Sequence, residues 1–177
     1  MYCINSALIV GLDHECKYSS MFKIYGDIML DRWVLGTAEN MSPEAPVPVL
    51  LESNIKFNAG GAANLAINLI GIGNTVELYG SVGADDEGYQ LVKLIAQQGV
   101  KTNILFDGEI TTTKTRLVGQ RGQHIVRWDR EKKYLGRLGE KFLDNLKADD
   151  VILISDYDKG TVSRTLIESV LTITKNV

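Results

Sequence analysis

The 177 residues carry 19 Lys and Arg against 22 Asp and Glu, a net charge of −3, with 45% hydrophobic and 23% charged residues. That composition supports one ordinary globular domain with its own core and argues against a disordered chain. It also lacks the concentrated positive charge that nucleic acid or an anionic membrane requires, so neither is expected as a partner.

Residues 1–20 read as an N-terminal extension without a legible role. They hold both cysteines, Cys3 and Cys16, and one of the two histidines, His14, the other being His124. So few thiols fit free cysteines in a reducing cytosol better than a disulfide scaffold, and no metal site is expected. The apolar stretch 7–12 is too short to span a bilayer and has no signal-peptide flanks. A soluble, cytoplasmic protein is the expectation.

Residues 21–30 form a β-rich apolar run that ends at Asp31, which predicts a strand with an acid at its carboxyl end. Ser42-Pro43-Glu44-Ala45-Pro46-Val47-Pro48 contains all three prolines. Proline removes a ladder donor, so this stretch reads as extended or edge structure, with a short strand at 49–51. Asn58-Ala59-Gly60-Gly61 then opens a helix, and residues 62–70 are apolar around most of the helix circumference, as in a buried helix. A strand at 75–82 and a helix from Asp85-Asp86-Glu87 to about residue 98 follow, the acids suiting the helix dipole. Residues 100–106 are the next strand.

The texture changes at Thr111. Residues 111–119 and 123–130 read as two arms of a β-hairpin around Gln120-Arg121-Gly122, in a small sheet with the proline segment. A helix at 139–147, a buried strand at 151–155 and a helix at 162–175 complete the chain. Strand–helix–strand alternation marks an α/β fold with a parallel sheet.

Four segments can carry chemistry. Asp31, at a strand end, suits two vicinal sugar hydroxyls or a turn cap. Gly60 and Gly61, with Asn64, allow close backbone approach of a ligand or merely tight helix–strand packing. Lys114 and Arg116 share one strand face, where they clamp a phosphate or form a solvated basic face; Arg127 on the other arm joins them if the register allows. Asp156 and Lys159 follow a buried strand and point to the cleft of Asp31 or belong to a turn closed by Gly160.

These segments, in this order, resemble the ribokinase-like (PfkB) carbohydrate kinases, and most of all the kinase domain of the bifunctional heptose-7-phosphate kinase/ADP-heptose synthase. The likeness rests on Gly26-Asp27-Ile28-Met29-Leu30-Asp31-Arg32, the proline segment, Gly60-Gly61-Ala62-Ala63-Asn64, Thr113-Lys114-Thr115-Arg116 and Ser155-Asp156-Tyr157-Asp158-Lys159-Gly160. It implies a mostly parallel sheet flanked by helices with a small β-sheet lid, the lid segments lying at about 32–57 and 111–130 of a kinase domain spanning 21–177. It implies that Asp31, Gly60, Gly61 and Asn64 hold sugar hydroxyls and that Lys114, Arg116 and Arg127 lie on the lid over the sugar phosphate. Lid sheets pair subunits in this family, so a homodimer is expected.

The resemblance also implies a departure. The family's Gly-Ala-Gly-Asp-type segment, with the general base and anion hole, does not occur in these 177 residues. The C-terminal half of the fold is therefore expected to be absent, no catalytic residue is assigned, and ATP and Mg²⁺ are expected only of the complete enzyme. Two functions follow: a heptose 7-phosphate 1-kinase fragment inactive alone, or a non-catalytic sugar-phosphate-binding or dimerisation module.

Overall fold

The computed structural model describes residues 21–134 and 138–177, so the N-terminal extension 1–20 lies outside the described residues. In chain order the elements are β1 (Phe22–Gly26), β2 (Ile28–Met41), β3 (Pro48–Gly61), α1 (Ala62–Gly71), β4 (Val76–Gly83) and α2 (Asp86–Gln97). They continue with β5 (Lys101–Gly108), β6 (Thr113–Val118), β7 (His124–Arg130), α3 (Leu138–Leu143), β8 (Val151–Ser155) and α4 (Arg164–Ile173).

One sheet has the order β5-β4-β1-β8 and every pairing in it is parallel. Strand side chains alternate between faces, and both faces are apolar, as a parallel sheet buried on two sides requires. On one face Ile24, Val76, Leu78 and Val82 pack with Ala62, Ala63 and Ala66 of α1 and Leu91 and Ile95 of α2. On the other, Tyr25, Tyr79 and Ile152 meet Leu138 and Phe142 of α3 and Leu166 and Val170 of α4. The Phe142 ring centroid lies 4.7 Å from that of Tyr25 and 4.8 Å from that of Tyr79. Burial of each Val, Leu, Ile or Phe side chain among these contributes about 1.5–3 kcal/mol, which makes these two layers the mechanical support of everything attached to them.

The second sheet has the order β3-β2-β6-β7. Strands β2 and β3 pair antiparallel, β2 and β6 parallel, β6 and β7 antiparallel. The hairpin expected after Thr111 is there, with Gly122 at φ 77° in its turn.

The apolar run at 21–30 is two strands in two different sheets, not one. The break falls at Asp27, whose N–H bonds the Ser155 carbonyl at 3.0 Å while its own carbonyl accepts the Ala62 N–H at 2.9 Å. Asp31 consequently lies inside β2 rather than beyond a parallel strand. The short strand expected at 49–51 is part of the 14-residue β3, and Asn58-Ala59-Gly60-Gly61 ends that strand before the helix starts at Ala62. Helices α3 and α4 are shorter than the periodicity predicts, because apolar spacing continues into flanking loops that also pack inward.

Candidate functional site: a cationic sheet face above a glycine floor

The register of the second sheet places its chemistry in rows. Asp31 has Asn58 on one side and Lys114 on the other, and Lys114 has Asp129 beyond it. Two residues along, Trp33 lies between Lys56 and Arg116, and Arg116 faces Arg127. Residues paired across strands project to the same face. That face thus presents four cations against two carboxylates. The Asp129 carboxyl is held below its ordinary range, first by the bond from Arg127 and further by the Lys114 and Arg116 charges.

A cleft of about 550 Å³ lies under this face. Asp31, Trp33, Lys114 and Arg116 form its sheet wall; Gly60, Gly61 and Asn64 form its floor at the start of α1; Tyr157 closes it from the loop after β8. Arg116 Nη1 donates to Asp31 Oδ1 at 2.6 Å, and the guanidinium carbon stands 4.7 Å from the Trp33 ring centroid. Lys114 Nζ lies 5.7 Å from the Tyr157 ring centroid. Planar carboxylate and amide groups beside an aromatic ring suit hydroxyls and the apolar face of a sugar ring, and the cations suit an anion.

The glycines are needed for different reasons. Gly61 has φ 62°, and a Cβ there would collide with the Asp27 carbonyl, the acceptor of the first helical N–H. A Cβ on Gly60 would sit 2.7 Å from Asp31 Oδ2, displacing the carboxylate.

One buried and one half-buried acid hold the walls together. The Asp27 carboxylate is fully buried and accepts three backbone N–H groups of the loop after β8: Tyr157 at 2.7 Å, Lys159 at 3.1 Å and Thr161 at 3.2 Å. Asp27 thereby ties the Tyr157 wall to the glycine floor. Asp85 caps α2 through the Gly88 N–H at 3.0 Å, accepts the Thr111 N–H at 3.0 Å and pairs with Arg130 at 3.1 Å. This joins α2 to the entry of β6 and the end of β7. Burial alone would raise the Asp85 pKa; the bonds from Thr111 and Gly88, with Arg130, outweigh it and hold the carboxyl below 3.8.

Of the residues singled out in the sequence, Asp31, Gly60, Gly61, Asn64, Lys114 and Arg116 line one cleft. Three others are engaged elsewhere. Arg127 shares the sheet face, but its guanidinium makes two bonds to Asp129, at 2.9 and 2.6 Å. Lys159 pairs with Glu131 at 2.7 Å. Asp156 accepts the Asp158 N–H at 2.8 Å, closing the turn in which Asp158 has φ 56° and Gly160 φ 94°. Sequence reasoning missed Trp33, Asn58 and Tyr157. Trp33 and Asn58 become visible once β2 and β3 are read as long strands, since Trp33 is two residues from Asp31 and Asn58 two from Gly60.

The model of the pfkB family carbohydrate kinases matches residues 21–176. The chain belongs to that family. Among curated relatives, this PfkB chain is 38% identical over 153 residues to the D-beta-D-heptose 7-phosphate kinase of Bordetella bronchiseptica, covering 84% of this chain and 48% of the relative. It is 39% identical over 166 residues to the bifunctional protein HldE of Acidiphilium cryptum, covering 87% of this chain and 34% of that protein. The chain thus spans about half or less of the length of the curated relatives it matches. The tetrameric inhibited form of phosphofructokinase-2 from Escherichia coli superposes with a TM-score of 0.67 at 18% identity, over 86% of this chain and 51% of that one. A carbohydrate kinase from Agrobacterium tumefaciens superposes at 0.60 with 22% identity, over 76% and 45%. The fold is ribokinase-like.

Among the described residues, no helix is long and apolar enough to cross a membrane, and no group of three or more His, Cys, Asp or Glu is placed to hold a metal ion.

Proposed function

We propose that this chain is the sugar-phosphate-binding half of a sugar kinase, acting on heptose 7-phosphate, the sugar named for its relative. The observation that carries this reading is the row arrangement of the cleft. Asn58 and Asp31, with Gly60, Gly61 and Asn64 below them, offer paired acceptors and donors for hydroxyls. Lys114 and Arg116 offer charge for a phosphate on the same face. The substrate would lie with its hydroxyls over the glycine floor and its phosphate under the outer row. Phosphoryl transfer to the anomeric hydroxyl belongs to the complete enzyme with ATP and Mg²⁺, and no residue described here is assigned as its base. In this reading the second sheet is the lid, a cytoplasmic location is expected, and two lids pair in a homodimer through the exposed apolar residues of β3 and β7, among them Leu51 and Trp128.

Thermal-shift and calorimetric titration of the 177-residue polypeptide with D-glycero-D-manno-heptose 7-phosphate tests the proposal. Saturable stabilisation, lost on Asp31→Ala, is the expected result; no binding of any sugar phosphate overturns it. The same titration with ATP present separates the two functions. Binding without ATP consumption, with turnover restored by a chain that includes the rest of the kinase domain, marks a kinase half. Binding with no turnover from either marks a non-catalytic sugar-phosphate module, which the exposed apolar strands favour as a pairing element.

A further inference from the structure

The carboxylate best placed for sugar hydroxyls is already committed. Asp31 Oδ1 receives Arg116 Nη1 at 2.6 Å, and the two side chains are only 23% and 20% exposed. A neutral sugar reaching for Asp31 would have to break this pair and leave a partly buried guanidinium without its counter-ion, which costs far more than an exposed pair is worth. A sugar phosphate supplies both replacements at once: an anion for Arg116 and hydroxyls for Asp31. The surroundings suit such an exchange. The guanidinium lies 4.7 Å from the Trp33 ring centroid, so stacking holds its plane while its N–H fork changes partner. Gly60 leaves open space at Asp31 Oδ2, where a Cβ would come within 2.7 Å. Lys114, the β6 neighbour of Asp31, supplies a second charge for the arriving anion.

We propose that the Asp31–Arg116 ion pair is a placeholder that makes phosphate recognition a condition for hydroxyl recognition, and so sets the specificity for sugar phosphate over free sugar. The inference rests on the sugar-phosphate reading of the cleft. Discrimination here arises from a cost imposed on the wrong ligand as well as from contacts offered to the right one.

The test measures dissociation constants for heptose 7-phosphate and for the same heptose without phosphate, on the full chain and on Arg116→Gln. The neutral amide releases Asp31. The variant should bind the sugar phosphate about tenfold or more weakly, yet bind free heptose roughly three- to tenfold more tightly than wild type, an inversion that mere loss of structure does not produce. In the wild-type chain, inorganic phosphate should raise the affinity for free heptose by about fivefold or more, and that coupling should vanish in the variant. Should Arg116→Gln fail to fold, the phosphate coupling in the wild-type chain decides alone. Equal weakening of both ligands by Arg116→Gln, or free-heptose affinity indifferent to phosphate, overturns the placeholder while the sugar-phosphate reading stands. Failure of the wild-type chain to bind either ligand overturns the reading and the placeholder together.

Discussion

Replacing Asp27 by Asn changes one atom and removes one charge at the junction of the two sheets. The carboxylate has no solvent exposure and its two oxygens receive the N–H groups of Tyr157, Lys159 and Thr161. An amide keeps one acceptor oxygen and turns an NH₂ donor toward backbone N–H groups. The amide keeps most bonds with its oxygen toward the Tyr157 and Lys159 N–H groups, 2.7 and 3.1 Å from Oδ2, so the Thr161 N–H, 3.2 Å from Oδ1, loses its acceptor and faces an NH₂ donor. A buried orphaned donor costs about 1–3 kcal/mol, so Asp27→Asn should lower stability by about that amount. Equilibrium urea denaturation reads the loss as a lower midpoint with an unchanged slope. Amide exchange gives the local signature: faster exchange at residues 157, 159 and 161, with β1 and β4 amides still protected. A stability change below about 0.5 kcal/mol, within the range of ordinary surface substitutions, or unaltered exchange in that loop, refutes the assignment of Asp27 as the tie between floor and wall.

Gly61→Ala should cost about 2 kcal/mol or more, because it adds a Cβ at φ 62° and against the Asp27 carbonyl; thermal melting checks this, and a near-neutral result contradicts the floor geometry. Gly60→Ala should instead weaken sugar-phosphate binding by about tenfold in titration, since its Cβ would press on the Asp31 carboxylate. Asp85→Asn should lose about 1–2 kcal/mol at neutral pH. The Asp85 carboxyl is depressed in the folded state, so its contribution is present above 3.8 and disappears as pH falls through the lower folded value; the gap between wild type and variant should close over that acid range. Leu51→Lys, at a side chain 60% exposed on β3, should shift sedimentation toward monomer if the sheets pair between copies.

Much of the parallel sheet is legible in the sequence, because strands buried on both faces are continuous apolar runs set between helices with near-3.6 spacing. The hairpin after Thr111 is legible for another reason: its arms alternate polar and apolar residues, with Gly122 marking the turn. What the pattern hid is the change of sheet at Asp27. An apolar run looks the same whether it continues in one sheet or passes into another, and the switch is made by hydrogen bonds to Ser155 and Ala62, far away in sequence. Arg127 and Lys159, whose spacing suggested the cleft, are taken by other partners: Arg127 by Asp129, two residues along its own strand, and Lys159 by Glu131 from a distant segment. Tyr157 was out of reach of spacing arguments, since a turn residue has no periodicity and its position depends on a carboxylate 130 residues earlier. Asp31, Lys114 and Arg116 were reachable because strand register carries each onto one face once the strands are known.

The most direct measurement of the central claim is an amide chemical-shift titration of the chain with heptose 7-phosphate. The cleft geometry predicts saturable shifts concentrated at Asn58, Gly60, Gly61, Asn64, Lys114 and Arg116, with Asp156 outside the perturbed set. Shifts centred elsewhere, or none at saturating ligand, would contradict it.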